Sequence, residues 1–246
     1  MKKLIANFKT NMNLQDFKNY AIYLSANLEN YKDKVRIALP FTHIALGGFL
    51  FNNNMVEVGG QNIFEEKSCT GEISAEILKS AGANFVILGH SDRRKRFKET
   101  DKQINKKIKL ALAQGLKVVL CVGEEIAGAD RKESNAFVKK QLEEALKGLY
   151  ENELESVTIA YEPVYAIGTG KLPLNRAIES AVLNIRKVIE ALYSKKTASE
   201  IEVVYGGSLN SRNIKSVLSV KGLDGGLIGG ACLNAREFCD MIKEVE

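Results

Sequence analysis

The sequence predicts a closed (β/α)8 barrel, and three observations carry that expectation. Eight short apolar runs, each followed by a helical pattern, divide the 246 residues into repeating strand-helix units. The runs are apolar throughout rather than alternating, as in a parallel sheet covered on its outer side. The first run ends in Asn7-Phe8-Lys9, where an open doubly wound sheet would carry G-x-G-x-x-G.

Taken in order, Lys3 to Phe8 is the first strand. Leu14, Phe17, Ala21, Leu24 and Leu28 then recur at helical spacing behind Asn13, a residue suited to cap a helix. Val35 to Leu39 is the second strand, closed by Pro40 and followed by a short helical pattern. Val56 to Gln61 is the third, and a polar loop leads to Thr70-Gly71-Glu72 and a helix from Ser74 to Ala81. Asn84 to Gly89 is the fourth strand, and Asp101 to Ala113 a helix with a basic exposed face that ends near Gly115. Lys117 to Val122, Val157 to Tyr161, Ile201 to Tyr205 and Leu223 to Ile228 are strands five to eight; helices cover Glu133 to Leu149 and Asn175 to Tyr193.

Composition narrows the function. At 45% hydrophobic residues, with no Pro-, Gly- or Ser-rich linker and no shift in composition, residues 1–246 are expected to form one barrel domain. The start is too short in apolar residues for a secretory segment and no run approaches a membrane span, so a soluble cytoplasmic protein is expected. Cys69, Cys121, Cys232 and Cys239 form neither a CxxC pair nor a zinc spacing and are expected to be reduced and mostly packed. A net charge of +5, from 35 basic and 30 acidic residues, is too balanced for a dedicated nucleic-acid binder but suits a small anionic ligand. The run Arg93 to Lys98, without interleaved aromatics, reads as a solvated helix face.

In a barrel of this kind the active site lies past the C-terminal ends of the strands. Collecting polar residues there brings together Asn7 and Lys9 from strand one, His90, Ser91, Asp92 and Arg93 from strand four, and Glu162 from strand six. Gly206-Gly207-Ser208 follows strand seven and Gly229-Gly230 strand eight. A carboxylate base, an imidazole, an ammonium and two glycine-rich turns are the parts needed for proton abstraction next to the carbonyl of a phosphorylated compound. The turn Gly229-Gly230-Ala231 leads from strand into helix, so its amides can hold a phosphate. Glu162 stands before Pro163, which biases it to an extended conformation. The segment to Pro173 contains Gly168 and Gly170 and reads as a lid with stiff ends. Ile167-Gly168-Thr169-Gly170-Lys171 is not a P-loop, because Leu172 replaces the required Ser or Thr. The other histidine, His43, reads as a surface residue at a helix start.

These motifs, Asn7-Phe8-Lys9, Gly89-His90-Ser91-Asp92-Arg93-Arg94, Ala160 to Lys171, Tyr205-Gly206-Gly207-Ser208 and Gly229-Gly230, occur in the order found in one family. The sequence resembles triosephosphate isomerase, end to end. The resemblance implies a TIM barrel that interconverts dihydroxyacetone phosphate and glyceraldehyde 3-phosphate through an enediolate, in glycolysis and gluconeogenesis, with no metal and no organic cofactor. It implies Glu162 as the base, His90 as a neutral electrophile, Lys9 as positive charge for the enediolate and Asn7 as its orienting partner. Gly168, Ser208, Gly229 and Gly230 would bind the phosphate under a closing lid, and Ser91 and Asp92 would support the site from behind. It also implies a homodimer through the loop Gln61 to Thr70, with Thr70 near the partner's catalytic residues, and a structural brace between Arg186 and Asp224. No nucleic acid or membrane partner is expected.

The sequence departs from the family at Asp92, where Glu is usual, and the shorter side chain is expected to lose contacts near His90 and Lys9. Tyr165 stands in place of Trp, and Cys232 in place of Ser, where an exposed thiol would allow alkylation to block the site. Two other readings are weighed: a phosphate-binding aldolase or synthase, which would want a strand-end Lys where Glu162 stands, and a noncatalytic scaffold, for which the catalytic set would be superfluous.

Overall fold

The computed structural model describes residues 2–28, 34–51, 56–66, 68–124, 131–164 and 172–245. Its strands are β1 (Lys3–Asn7), β2 (Val35–Leu39), β3 (Val56–Gly60), β4 (Phe85–Leu88), β5 (Lys117–Val122), β6 (Val157–Tyr161), β7 (Glu202–Tyr205) and β8 (Gly225–Ile228). They pair in parallel in chain order, and β8 returns to β1 to close a barrel. Around it lie α1 (Leu14–Asn27), α2 (Ile44–Leu50), α3 (Ala75–Ser80), α4 (Ser91–Phe97), α5 (Asp101–Ala113) and α6 (Arg131–Ala145). The circuit continues through α7 (Asn175–Leu192), α8 (Lys195–Glu200), α9 (Ile214–Leu218) and α10 (Ala235–Glu244).

Strand side chains point alternately in and out, and both directions are apolar here for different reasons. Ile5, Ile87, Val119, Cys121 and Leu227 fill the barrel interior as one buried cluster. Their neighbours Leu4, Ala6, Leu88, Val118 and Leu120 join the helices in the larger outer core. This is why the strands read as continuous apolar runs. α1 begins as anticipated, with Asn13 Oδ1 accepting from the amides of Gln15 and Asp16 at 2.9 Å each. Its Phe17 and Tyr20 meet Phe8 edge-on, at 6.1 and 5.0 Å between ring centroids.

Some local expectations change. His43 is buried, not on the surface: its ring packs edge-on against Phe17 at 5.5 Å, and Nδ1 lies 2.8 Å from Thr42 Oγ1. The run after His90 is exposed from Lys95 to Lys98, but Arg94 turns inward. Arg94 donates to the carbonyls of Gly89 at 2.6 Å and Cys121 at 3.2 Å and pairs with Asp101 at 2.5 Å. It thereby ties the end of β4 to β5. The anticipated brace is present: Arg186 Nη2 bonds Asp224 Oδ2 at 3.1 Å, and the same oxygen accepts the Val203 amide at 2.8 Å. No helix among the described residues is long and apolar enough to cross a membrane.

The N-terminal end of the barrel carries an ionic floor. Arg36 and Glu57 are register partners on β2 and β3, and Arg36 Nε donates to Glu57 Oε2 at 2.8 Å. Arg36 Nη1 reaches Thr158 Oγ1 on β6 at 3.2 Å and Glu202 Oε2 on β7 at 3.5 Å. Lys117 of β5 pairs with Glu57, and Lys3 of β1 with Glu202. One connected set of charges thus joins five of the strands, and the Thr158 hydroxyl ties in a sixth.

Candidate active site

Two backbone features set the geometry of the other end. Gly89 has φ +71°, so the chain turns sharply out of β4 and presents His90 at the start of α4. A β-carbon at Gly123 would lie 1.7 Å from the Glu162 carbonyl oxygen, so β5 and β6 approach closely only because that residue is glycine. The Glu162 amide donates to the Val122 carbonyl at 2.8 Å and continues the ladder one step past β6.

Glu162 is 2% exposed, and its carboxylate is held at both oxygens. Oε2 accepts the Ser91 amide at 3.0 Å, and Oε1 lies 3.2 Å from His90 Nε2. The opposite ring nitrogen, Nδ1, accepts the Asp92 amide at 3.1 Å. A nitrogen that accepts an N–H carries no proton itself, so this bond assigns the tautomer with hydrogen on Nε2, directed at Glu162.

Lys9 has φ +51°, a conformation that costs a non-glycine residue about 1–2 kcal/mol. The Asn7 side chain compensates by accepting the Lys9 amide at 3.1 Å. Lys9 Nζ then reaches Asp92 Oδ2 at 2.8 Å. This corrects the expectation that Asp92 loses its contacts: the four-carbon stem of Lys9 spans the gap that the shorter carboxylate leaves. Burial by itself would raise the Asp92 carboxyl, but the hydrogen bond from Lys9 and the Lys9 and Arg96 charges outweigh it and hold it below the usual carboxylate range.

Ser208, Gly229 and Gly230 line one wall of a cavity of about 320 Å³ whose other wall holds Asn7, Lys9, His90 and Glu162. Gly229 leaves β8 and Gly230 opens a 3-10 turn to Leu233. Asn7, Lys9, His90 and Glu162 therefore share one mouth with the two glycine turns, whereas Arg93, collected with them, turns away to pair with Glu99 at 3.4 Å and lie over the Phe97 ring. Gly168 and Tyr165 lie outside the described residues. Cys232 is fully buried behind the turn, with Sγ 3.8 Å from the Asn7 carbonyl, so it is closed to the alkylation considered above. Burial pushes its thiol up to about 12. Among the described residues no three His, Cys, Asp or Glu side chains cluster closely enough to hold a metal ion.

One residue of this end escaped the sequence reading. Glu124 follows Gly123 at the end of β5, accepts the Tyr161 hydroxyl at 2.9 Å and is 6% exposed. Its other oxygen has no partner among the described residues, and burial raises its carboxyl above the ordinary value. Its carbonyl accepts the Val164 amide at 3.0 Å, which fixes the chain just beyond Glu162. The rule that collected Glu162, a polar residue just past an apolar strand, applied equally to strand five.

A closed parallel barrel whose C-terminal mouth sets a carboxylate against an imidazole, with an ammonium and two glycine turns alongside, places the chain among the (β/α)8 enzymes that shift protons beside a carbonyl. Comparison with known proteins narrows that class. The sequence model of the family described as triosephosphate isomerase matches residues 2–245. The triosephosphate isomerase of Treponema denticola is 42% identical over 242 residues, covering 97% of each chain. Those of Dictyoglomus thermophilum and Mycoplasmoides gallisepticum are each 38% identical, covering 96% and 99% of this chain and 95% and 98% of their own. The chain belongs to the triosephosphate isomerase family.

Proposed function

We infer that the protein interconverts dihydroxyacetone phosphate and D-glyceraldehyde 3-phosphate, the triose step of glycolysis and gluconeogenesis. The observation that carries the residue roles is the approach of His90 Nε2 to Glu162 Oε1 at 3.2 Å, beside Lys9, in a buried mouth. Glu162 exchanges its Ser91 amide for the substrate C–H and removes the proton next to the carbonyl. The electron pair left behind moves onto the carbonyl oxygen as His90 Nε2–H supplies hydrogen to it, and the enediolate forms. Glu162 then returns the proton to the neighbouring carbon, while the hydroxyl proton on the other oxygen passes back to His90 Nε2, so that oxygen becomes the new carbonyl and both residues are restored. The Lys9 ammonium offsets the developing negative charge, in a place preset by Asn7. The amides of Ser208, Gly229 and Gly230 receive the phosphate, whose binding energy orients the reacting carbons without entering the chemistry.

The assay is turnover of glyceraldehyde 3-phosphate coupled to NADH oxidation, for the parent and for Glu162→Asp. Fast parent turnover with a loss of at least about tenfold, about 1.4 kcal/mol in barrier, is the expected result. A folded variant that keeps full activity removes Glu162 from its role.

We also infer that two copies pair through the loop from Gln61 to Thr70. Cys69 and Thr70 are exposed on that loop, and the large apolar side chains of Ile77 and Phe97, 52% and 67% exposed, follow it on α3 and α4. Such surfaces favour burial against a partner. Sedimentation run alongside the assay tests this reading, and a monomer with full activity defeats it.

A further inference from the structure

The turn Gly206 to Asn210 lines the mouth, and one side chain that is not part of the cavity wall holds it from behind. Asn213 precedes α9, a place where asparagine ordinarily accepts from the first amides of the helix. Here it makes no capping bond; with φ −118° and ψ −14° its backbone is away from the extended geometry that capping uses. Its amide group faces the turn instead. Oδ1 accepts the Asn210 amide at 3.0 Å, and Nδ2 donates to the Ser208 carbonyl at 3.0 Å. One planar group therefore fixes the separation of Ser208 and Asn210. The rest of the segment is closed on itself: the Leu209 amide donates to the Gly207 carbonyl at 2.9 Å, and the Ile214 amide to the Asn210 carbonyl at 3.0 Å. Asn210 Oδ1 in turn accepts the Arg212 amide at 3.0 Å.

We propose that Asn213 is a positioning residue for the phosphate end of the substrate: it holds the Ser208 backbone in the shape that receives a phosphate monoester, without touching the substrate. An acceptor alone would secure Asn210 and a donor alone Ser208; the asparagine amide supplies both in one rigid unit. Serine or alanine is too short to bridge the two points, and aspartate keeps the acceptor but sets an oxygen against the Ser208 carbonyl. The proposal rests on the reading of Ser208 as a phosphate ligand.

The test compares the parent with Asn213→Ala and Asn213→Asp, each checked for folding by thermal melting. Three quantities are measured: KM for glyceraldehyde 3-phosphate, the competitive inhibition constant of inorganic phosphate, and kcat/KM for phosphate-free glyceraldehyde. In both variants KM and the phosphate inhibition constant rise together by about tenfold, while the phosphate-free reaction stays within about twofold. A purely structural role would lower activity on both aldehydes equally, and that result overturns the proposal. So does phosphate inhibition that is unchanged in the folded variants. If inorganic phosphate does not compete in the parent, the Ser208 reading itself falls, which separates the two failures.

Discussion

Both ends of this barrel hold charged groups, and they use their carboxylates in opposite ways. At the floor, Arg36, Lys3 and Lys117 are matched against Glu57 and Glu202, and the Arg36 side chain is only 9% exposed. At the mouth, the carboxylate of Glu162 is met by one amide and one imidazole nitrogen, and the cavity beside it is walled by glycines on one side. The larger cavity, about 850 Å³, lies at the floor between the starts of β6 and β7, so volume does not locate the chemistry. What separates the ends is how their carboxylates are met: Glu57 and Glu202 by cations, Glu162 by an amide and an imidazole. A charge fully paired within the protein holds strands together; one held by weaker neutral donors can exchange them for a substrate.

The comparison breaks most sharply under substitutions that remove one charge from each end. Glu162→Gln is expected to lower kcat by about 10²- to 10⁴-fold, the usual contribution of a positioned base, while the melting temperature stays near that of the parent. Arg36→Ala should do the reverse. Arg36 is buried, but Glu57 and Glu202 are 30% and 28% exposed and keep Lys117 and Lys3, so its removal should cost about 1–2 kcal/mol, mostly in lost packing and hydrogen bonds, and kcat per folded molecule should hold within about twofold. Arg36→Met separates charge from packing: an apolar chain of similar length leaves Glu57 with Lys117 and Glu202 with Lys3, and most of the stability should return. A large fall in kcat for Arg36→Ala in its folded form would show that the ends are coupled.

Acid sharpens the same contrast. Burial by itself would raise the carboxyls of Glu57 and Glu202, but hydrogen bonds from Lys117 and Lys3 and the charge of Arg36 outweigh it, so both are held below the ordinary value. A carboxylate depressed in the folded state adds stability that is complete above the unfolded value and is lost as pH falls through the folded one. The melting temperature should therefore be level through neutral pH and decline once the pH drops below about 4.3, the ordinary glutamate value. Glu202→Gln, which retains an acceptor for Thr158 and Lys3, should make that decline shallower. An equally steep decline in the variant would assign the acid sensitivity to other carboxylates.

The mouth was legible in the sequence and the floor was not, for a physical reason. Mouth residues sit just past the strands, where a polar side chain interrupts an apolar run and Gly or Pro marks the turn; His90 after Gly89 and Glu162 before Pro163 stand out on that account. Floor residues lie inside or at the start of the runs, where Arg36 between Val35 and Ile37 resembles an alternating outward position. Only closure of the barrel brings Arg36 of β2 beside Glu202 of β7. Strand order followed from the repeating pattern because parallel neighbours in chain order need nothing else. Burial of His43 depended on Phe17 arriving from α1, and Asn213 on a helix too short to show a period. The residues 165–171, central to the sequence argument, lie outside the described structure.

The smallest expected effect concerns Asp92, one of the departures from the family within the described residues. Its value turns on whether the missing methylene costs a contact, and Lys9 Nζ at 2.8 Å from Oδ2 says that it does not. Both partners are partly open to water, with side chains 34% and 42% exposed, so the pair contributes under about 1 kcal/mol. Its service is to hold the Lys9 ammonium near the mouth, while the amide of the same residue holds His90 Nδ1 through a bond that does not depend on the side chain at all. Asp92→Glu should therefore change kcat/KM by less than about threefold, whereas Asp92→Ala, which frees Lys9 but keeps the His90 tautomer, should lower it by about three- to tenfold. Activity in Asp92→Glu well above the parent would mean that the longer carboxylate makes a contact in the working enzyme that the Lys9 stem does not replace.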